Sequence, residues 1–145
     1  MTSRLDRLCG VGGPLKQEPA SDDEVAGLRR SALARLEDSG NAGLSVDSRF
    51  DLAYGAAHAL RAAALRCKGY RATQRYIVFQ VLEETLGLGP DVWRVLSRCH
   101  DLRNLAEYEG ELNVSLALVE ELISICRVLV ERLDGLSASA FPPRL

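Results

Sequence analysis

From Ser45 to Gly69 the chain reads SVDSRFDLAYGAAHALRAAALRCKG. Phe50, Ala53, Tyr54, Ala57, Leu60 and Ala64 recur there at three- and four-residue steps, the period of a helix that buries one side. Most of that side is small, and small side chains let a neighbouring helix approach closely. The segment therefore predicts a helix capped at Ser45, running to about Lys68 and stopped by Gly69, at the centre of a bundle. No stretch of the chain shows the two-residue alternation of a half-buried strand.

The other segments follow the same period. Residues 1–21 hold Gly10, Gly12, Gly13, Pro14 and Pro19, which predicts a mostly irregular leader with Leu5 and Leu8 anchoring a short turn. Ser21 or Asp22 caps a helix with Val25, Leu28, Ala32, Leu33 and Leu36 on its inner side, and the SGNAG run at 39–43 stops it. Gly69–Ala72 reads as a turn, and Thr73–Leu86 as a helix packed through Ile77, Val78, Val81 and Leu82. Pro90 opens a fourth helix and Gly110 closes it. Asn113 caps a last helix to about Leu133, whose broad apolar face, from Leu116 through Val119, Leu122, Ile123, Cys126, Leu129 and Val130, implies contacts on two sides. Short loops between such helices predict an all-α, antiparallel four- to five-helix up-down bundle. One domain spans 22–135, and 136–145 form a loose tail.

The net charge of −2 gives no general pull toward nucleic acid or a membrane surface. Apolar runs are too short for a membrane span, and MTSRLDRLCGVGG lacks the continuous apolar segment of a secretory signal, so a cytoplasmic protein is expected. Cys9, Cys67, Cys99 and Cys126 form no ligand-spaced pair and read as reduced, mostly buried thiols. With only His58 and His100 besides, no metal and no cofactor are expected. GVGG at 10–13 follows no strand, and neither a GxSxG elbow nor an HExxH helix is present.

The segment GPDVWRVLSRCHDLRNLAEYEG, 89–110, carries the candidate site. Val92, Val95, Leu96, Cys99, Leu102 and Ala106 form its buried stripe. Beside that stripe Arg103, Glu107, His100, Trp93, Asn104 and Tyr108 follow in angular order across about 140°. A helix that only packs carries a back of Lys, Glu and Arg. Here guanidinium, imidazole, amide and phenol share one flank, the composition of a binding site or an interface. Cys99 and His100 adjoin in sequence but point about 100° apart, which discounts a nucleophile pair.

The AYGAAHALRAAALRCKGYR run, followed by RCHDLRNLAEYEG, resembles the HEPN superfamily (higher eukaryotes and prokaryotes nucleotide-binding), closest to its small stand-alone bacterial members. QEPASDDEVAGL and LSVDSRFDLAY fit the same pattern, so the resemblance covers roughly residues 15–134. It implies an antiparallel helical bundle that homodimerises, set in a toxin–antitoxin or defence module, often beside a nucleotidyltransferase-type or antitoxin partner. A subset of the family cleaves RNA without metal through an Arg, a polar residue and a His five positions after the Arg. Arg103 and Asn104 match the first two; the His position holds Tyr108, a poor base at neutral pH.

Three readings stay open on these residues. The first is a dimeric module that binds a nucleotide, RNA or a partner protein through Arg103, Asn104, Glu107, Tyr108 and His100. The second is a metal-independent endoribonuclease using Arg103 with His100 or Tyr108 across a dimer interface. The third is an interaction protein whose flank is only a seam, with Arg103 paired to Glu107. Arg61, Arg66, Lys68, Arg71 and Arg75 form a second basic group around the turn after the central helix, either a solvated end or a nucleic-acid contact. His58, at the edge of the small-residue stripe, reads as a hydrogen-bonded core histidine.

Overall fold

The computed structural model describes residues 3–74 and 81–140. In chain order the elements are α1 (Arg4–Arg7), β1 (Leu15–Gln17), α2 (Asp22–Ser39), α3 (Val46–Cys67), β2 (Tyr70–Ala72), α4 (Leu82–Leu86), α5 (Pro90–Glu109) and α6 (Leu116–Ala140). The Ser21 side chain accepts from the Glu24 amide and caps α2; Ser45 accepts from the Ser48 amide and caps α3. Between them Arg49 Nε donates to the Ser39 carbonyl at 2.8 Å, tying the α2–α3 turn.

The small-residue stripe of α3 is the centre of the molecule. Phe50, Ala53, Ala57, Leu60 and Ala64 are fully buried and Tyr54 nearly so. α2 lies on one side of α3 and α6 on another, with Val25 and Ala32 of α2 and Val119, Leu122, Cys126, Leu129 and Leu133 of α6 completing the core. Glu24, early in α2, meets Arg66, late in α3, and Arg103 of α5 meets Asp51, early in α3. Arg29 of α2 grips Asp134, late in α6, through two bonds of 2.7 and 3.0 Å. α2 and α5 thus run one way and α3 and α6 the other, an up-down helical bundle as the periodicity predicts.

Several details differ from the sequence reading. The leader is partly ordered: β1 pairs antiparallel with β2, placing Leu15 opposite Ala72 and Gln17 opposite Tyr70. Gly69, at φ +86°, reverses the chain after α3 and lets β2 fold back onto the leader, where a plain turn was expected. Leu5, Leu15, Leu65, Tyr70 and Val81 form a second small core beneath this sheet. The helix expected from Thr73 does not begin there, since residues 73 and 74 form a bend; 75–80, with Ile77 and Val78, lie outside the described residues. Ser115, not Asn113, caps α6, its Oγ accepting from the Leu118 amide. α6 continues to Ala140, beyond both the expected end at Leu133 and the start of the expected tail. Leu116, expected inside, is 44% exposed.

Candidate functional site

Pro90 occupies the first turn of α5 and Gly110 ends it at φ +74°. Leu96 and Cys99 are its buried anchors, with Val92, Val95 and Leu102 half-buried against the core. Burial pushes the Cys99 thiol up to about 12, so it stays protonated at neutral pH and is no nucleophile. That fixes the rotation of the helix, and the flank beside the anchors turns toward the first half of α3.

Three of the predicted site residues meet there. His100 Nδ1 lies 2.9 Å from the Tyr54 hydroxyl, and its Nε2 lies 3.1 Å from Asn104 Nδ2. With the amide placed so, Asn104 donates to Nε2 and the ring's Nδ1–H donates to Tyr54. Arg103 lies over the Tyr54 ring, its guanidinium carbon 5.0 Å from the centroid, and Nη1 is 3.7 Å from Asp51 Oδ1. One buried phenol of α3 thus organises three side chains of α5. Tyr54 belongs to the stripe that the periodicity places in the core, and its hydroxyl was the available signal: a buried tyrosine needs a partner for its O–H.

The remaining predicted residues are placed differently. Glu107 borders an open recess of about 280 Å³ whose other polar walls are Asp51, Arg103 and Glu111. Arg103 takes Asp51 as its ion-pair partner where Glu107 was the expected one. Tyr108 is 90% exposed and Leu105 49% exposed, both turned away from Tyr54. Arg103 and Tyr108 therefore do not converge within one chain. Trp93 is half-buried against the core.

The second basic group is not an exposed patch. Arg61 and Arg66 are 1% and 4% exposed. All five N–H donors of Arg66 are used: Nε and Nη2 reach Glu24 at 3.0 and 3.1 Å, Nη1 reaches the Glu18 and Tyr70 carbonyls, and Nη2 also reaches that of Pro19. Arg71 donates to both Glu18 and Glu24. These guanidinium bonds hold the Glu18 and Glu24 carboxyls below the usual range, the Arg71 bond being the main cause for Glu18 and the Arg66 bond for Glu24. A nucleic-acid contact through Arg61 and Arg66 is thereby excluded by burial. Lys68 is exposed, and Arg75 lies outside the described residues. His58 is half-buried on the wall of a separate pocket lined by Glu24, Leu28, Ala62 and Arg71.

Among the described residues no group of three or more His, Cys, Asp and Glu side chains is gathered that could hold a metal ion. No helix among them is long and apolar enough to cross a membrane. No protein-family model matches the chain, and no curated protein matches it.

Proposed function

We propose that the chain is a HEPN-like helical binding module that docks a protein partner through the outer side of α5. The partner is a second copy of the chain or a nucleotidyltransferase-type or antitoxin chain of a bacterial toxin–antitoxin or defence module. That setting rests on the resemblance of AYGAAHALRAAALRCKGYR and RCHDLRNLAEYEG to the superfamily. One observation carries the choice of partner class: Arg103 shares its recess with Asp51, Glu107 and Glu111. Three carboxylates against one guanidinium make the local field negative, which repels a phosphodiester and attracts a basic side chain. Leu105 and Tyr108 stand exposed on the same helix, and a leucine and a tyrosine with a free edge suit a protein interface.

The endoribonuclease reading finds less support in the same geometry. Both ring nitrogens of His100 are engaged, by Tyr54 and Asn104, so the ring must leave one partner before it accepts a proton. Tyr108 faces away from Arg103, so only a second molecule could bring the Tyr108 phenol to that guanidinium.

The test is direct. Wild-type protein is incubated with a mixed RNA pool in EDTA and, separately, passed over a sizing column with light-scattering detection, alone and with the chain encoded beside it. Intact RNA and a complex that weakens about tenfold in Tyr108→Ser are expected. RNA cleavage abolished by Arg103→Ala would establish the enzyme instead. Salt-sensitive RNA binding lost in Arg103→Ala would establish a nucleic-acid module.

A further inference from the structure

We infer that the slot between α2, the second half of α3 and β2 is a binding site for a small organic monoanion, an apolar body carrying a single carboxylate. The slot encloses about 330 Å³, at the lower end of the roughly 300–1,000 Å³ that small-molecule sites occupy. His58, Ala62 and Arg66 line it at four-residue steps along α3, which makes that wall about 12 Å long. Leu28, Ala62 and Leu65 give it an apolar middle, and Glu24, Arg66 and Arg71 gather at the end near β2.

The charge at that end selects the ligand. Within the lining two guanidiniums stand against one carboxylate, since Arg66 and Arg71 both pair with Glu24. The ion pairs behind the lining do not cancel the excess. Both arginines also reach Glu18, and Lys16 pairs with Glu18 in turn, at 3.5 Å. Three cations against two carboxylates leave this cluster with one positive charge in excess. A carboxylate offsets it, a neutral group leaves it, and a cation adds to it. The donors still open to a ligand are on Arg71. All five N–H donors of Arg66 reach Glu24 or backbone carbonyls. Arg71 commits Nε to Glu18 and Nη2 to Glu24, and its Nη1 has no partner among the described residues. The Arg71 side chain is 44% exposed, so Nη1 can take a ligand oxygen in a charge-assisted bond while Nε and Nη2 keep theirs. Arg66 fixes Glu24 and Glu24 fixes Arg71, so the guanidinium is held before any ligand arrives. The slot lies on the half of α3 away from Asp51 and is positive where the α5 recess is negative, so the inference is independent of the partner surface on α5.

Three probes with one ring system test the assignment: 2-naphthoate, its neutral amide 2-naphthamide and its cationic amidine 2-naphthamidine. Each is titrated into the whole chain while the methyl signals of Leu28, Ala62, Leu65 and Ala72 and the ring signals of His58 are followed by NMR. Saturable shifts confined to those residues are expected for naphthoate, with the amide about tenfold weaker and the amidine weaker still. Arg71→Gln is expected to erase the preference, bringing naphthoate down to the affinity of the amide, whereas Arg71→Lys keeps most of it. Ala62→Phe, which fills the slot from a helix position, is expected to abolish the shifts while the circular dichroism and thermal midpoint stay near wild type. Leu28→Phe repeats the block from α2 if Ala62→Phe fails to fold. Shifts with naphthoate that do not saturate or that saturate elsewhere, equal or tighter binding of the amide or amidine, or a preference that survives Arg71→Gln would each overturn the assignment.

Discussion

Arg61 carries a guanidinium into the middle of the core, beside the residue that organises the candidate site. Its Nε donates to the Ala57 carbonyl at 3.0 Å. Burial lowers its pKa to about 9, an effect only partly offset by the nearby Tyr54 hydroxyl and by Cys126 and Cys99. The folded value lies below the unfolded one, so the unfolded chain binds more protons, and stability rises as pH climbs above about 9. Below pH 9 the full cost of the buried charge is present. Arg61→Met, similar in length and apolar, is expected to be neutral or to stabilise the fold at pH 7 by about 1–4 kcal/mol in urea unfolding. The same substitution removes the group behind Tyr54, so the His100 ring signals are expected to move although that ring lies on another helix. Unchanged His100 signals would separate Arg61 from the site. The two core thiols give a second check at this scale. Burial raises both Cys99 and Cys126 to about 12, so neither is expected to react with iodoacetamide at pH 8 until urea unfolds the chain.

Among the elements, the leader is held by charge more than by its own strand. β1 and β2 are three residues each, far too short to persist alone. What fastens them is Arg66 under Glu18, Pro19 and Glu24, with Asp6 accepting from Gln17 at 2.8 Å and from the Tyr70 hydroxyl. Arg66→Met is expected to cost about 3 kcal/mol, the low end for a broken buried pair because Glu24 is partly exposed, and to open the chain to trypsin at Lys16. The Tyr70 hydrogen bond chiefly depresses Asp6, as the Arg71 and Arg66 bonds depress Glu18 and Glu24. Groups lowered on folding contribute their full stability above the ordinary carboxylate range, near pH 4.5, and lose it as pH falls through the depressed values. Backbone amides of β1 and β2 are expected to lose protection from hydrogen exchange as pH falls below the ordinary carboxylate range, before those of α3 do. The long helices were legible because each repeats its own period, and α2 and α3 also name their own caps. The clamp was not, since the pairings of Arg66 and Arg71 with Glu18 and Glu24 join residues more than forty positions apart and no local pattern records them. Arg66 illustrates the difficulty: beside Lys68 and Arg71 it reads as a solvated helix end, and only the folded leader shows why it is inside. Tyr54 is the same case within the site, for its partner His100 stands 46 positions on.

Across the whole molecule, cohesion is unequal, and of the four long helices the one that bears the candidate site is held least. α3 is buried along nearly its full length between α2 and α6, whereas α5 commits only Leu96 and Cys99 of its 20 residues to full burial. Local opening costs least where few apolar contacts must break. Backbone amides of α5 are therefore expected to exchange with solvent well before those of α3 and α6, read residue by residue in native-state hydrogen exchange. A helix in that position gains most from a partner, because docking against Leu105 and Tyr108 adds contacts that the chain itself does not provide. Adding the docking partner should slow exchange along α5, from Asn104 to Glu109 above all, and leave α3 unchanged. Loosening α5 should in turn weaken docking: Leu96→Ala, expected to cost about 2–5 kcal/mol by leaving a cavity under the helix, should reduce partner affinity without touching the exposed surface. If α5 already exchanges as slowly as α3 in the isolated chain, its outer side is a finished surface, and the proposed docking loses its physical reason.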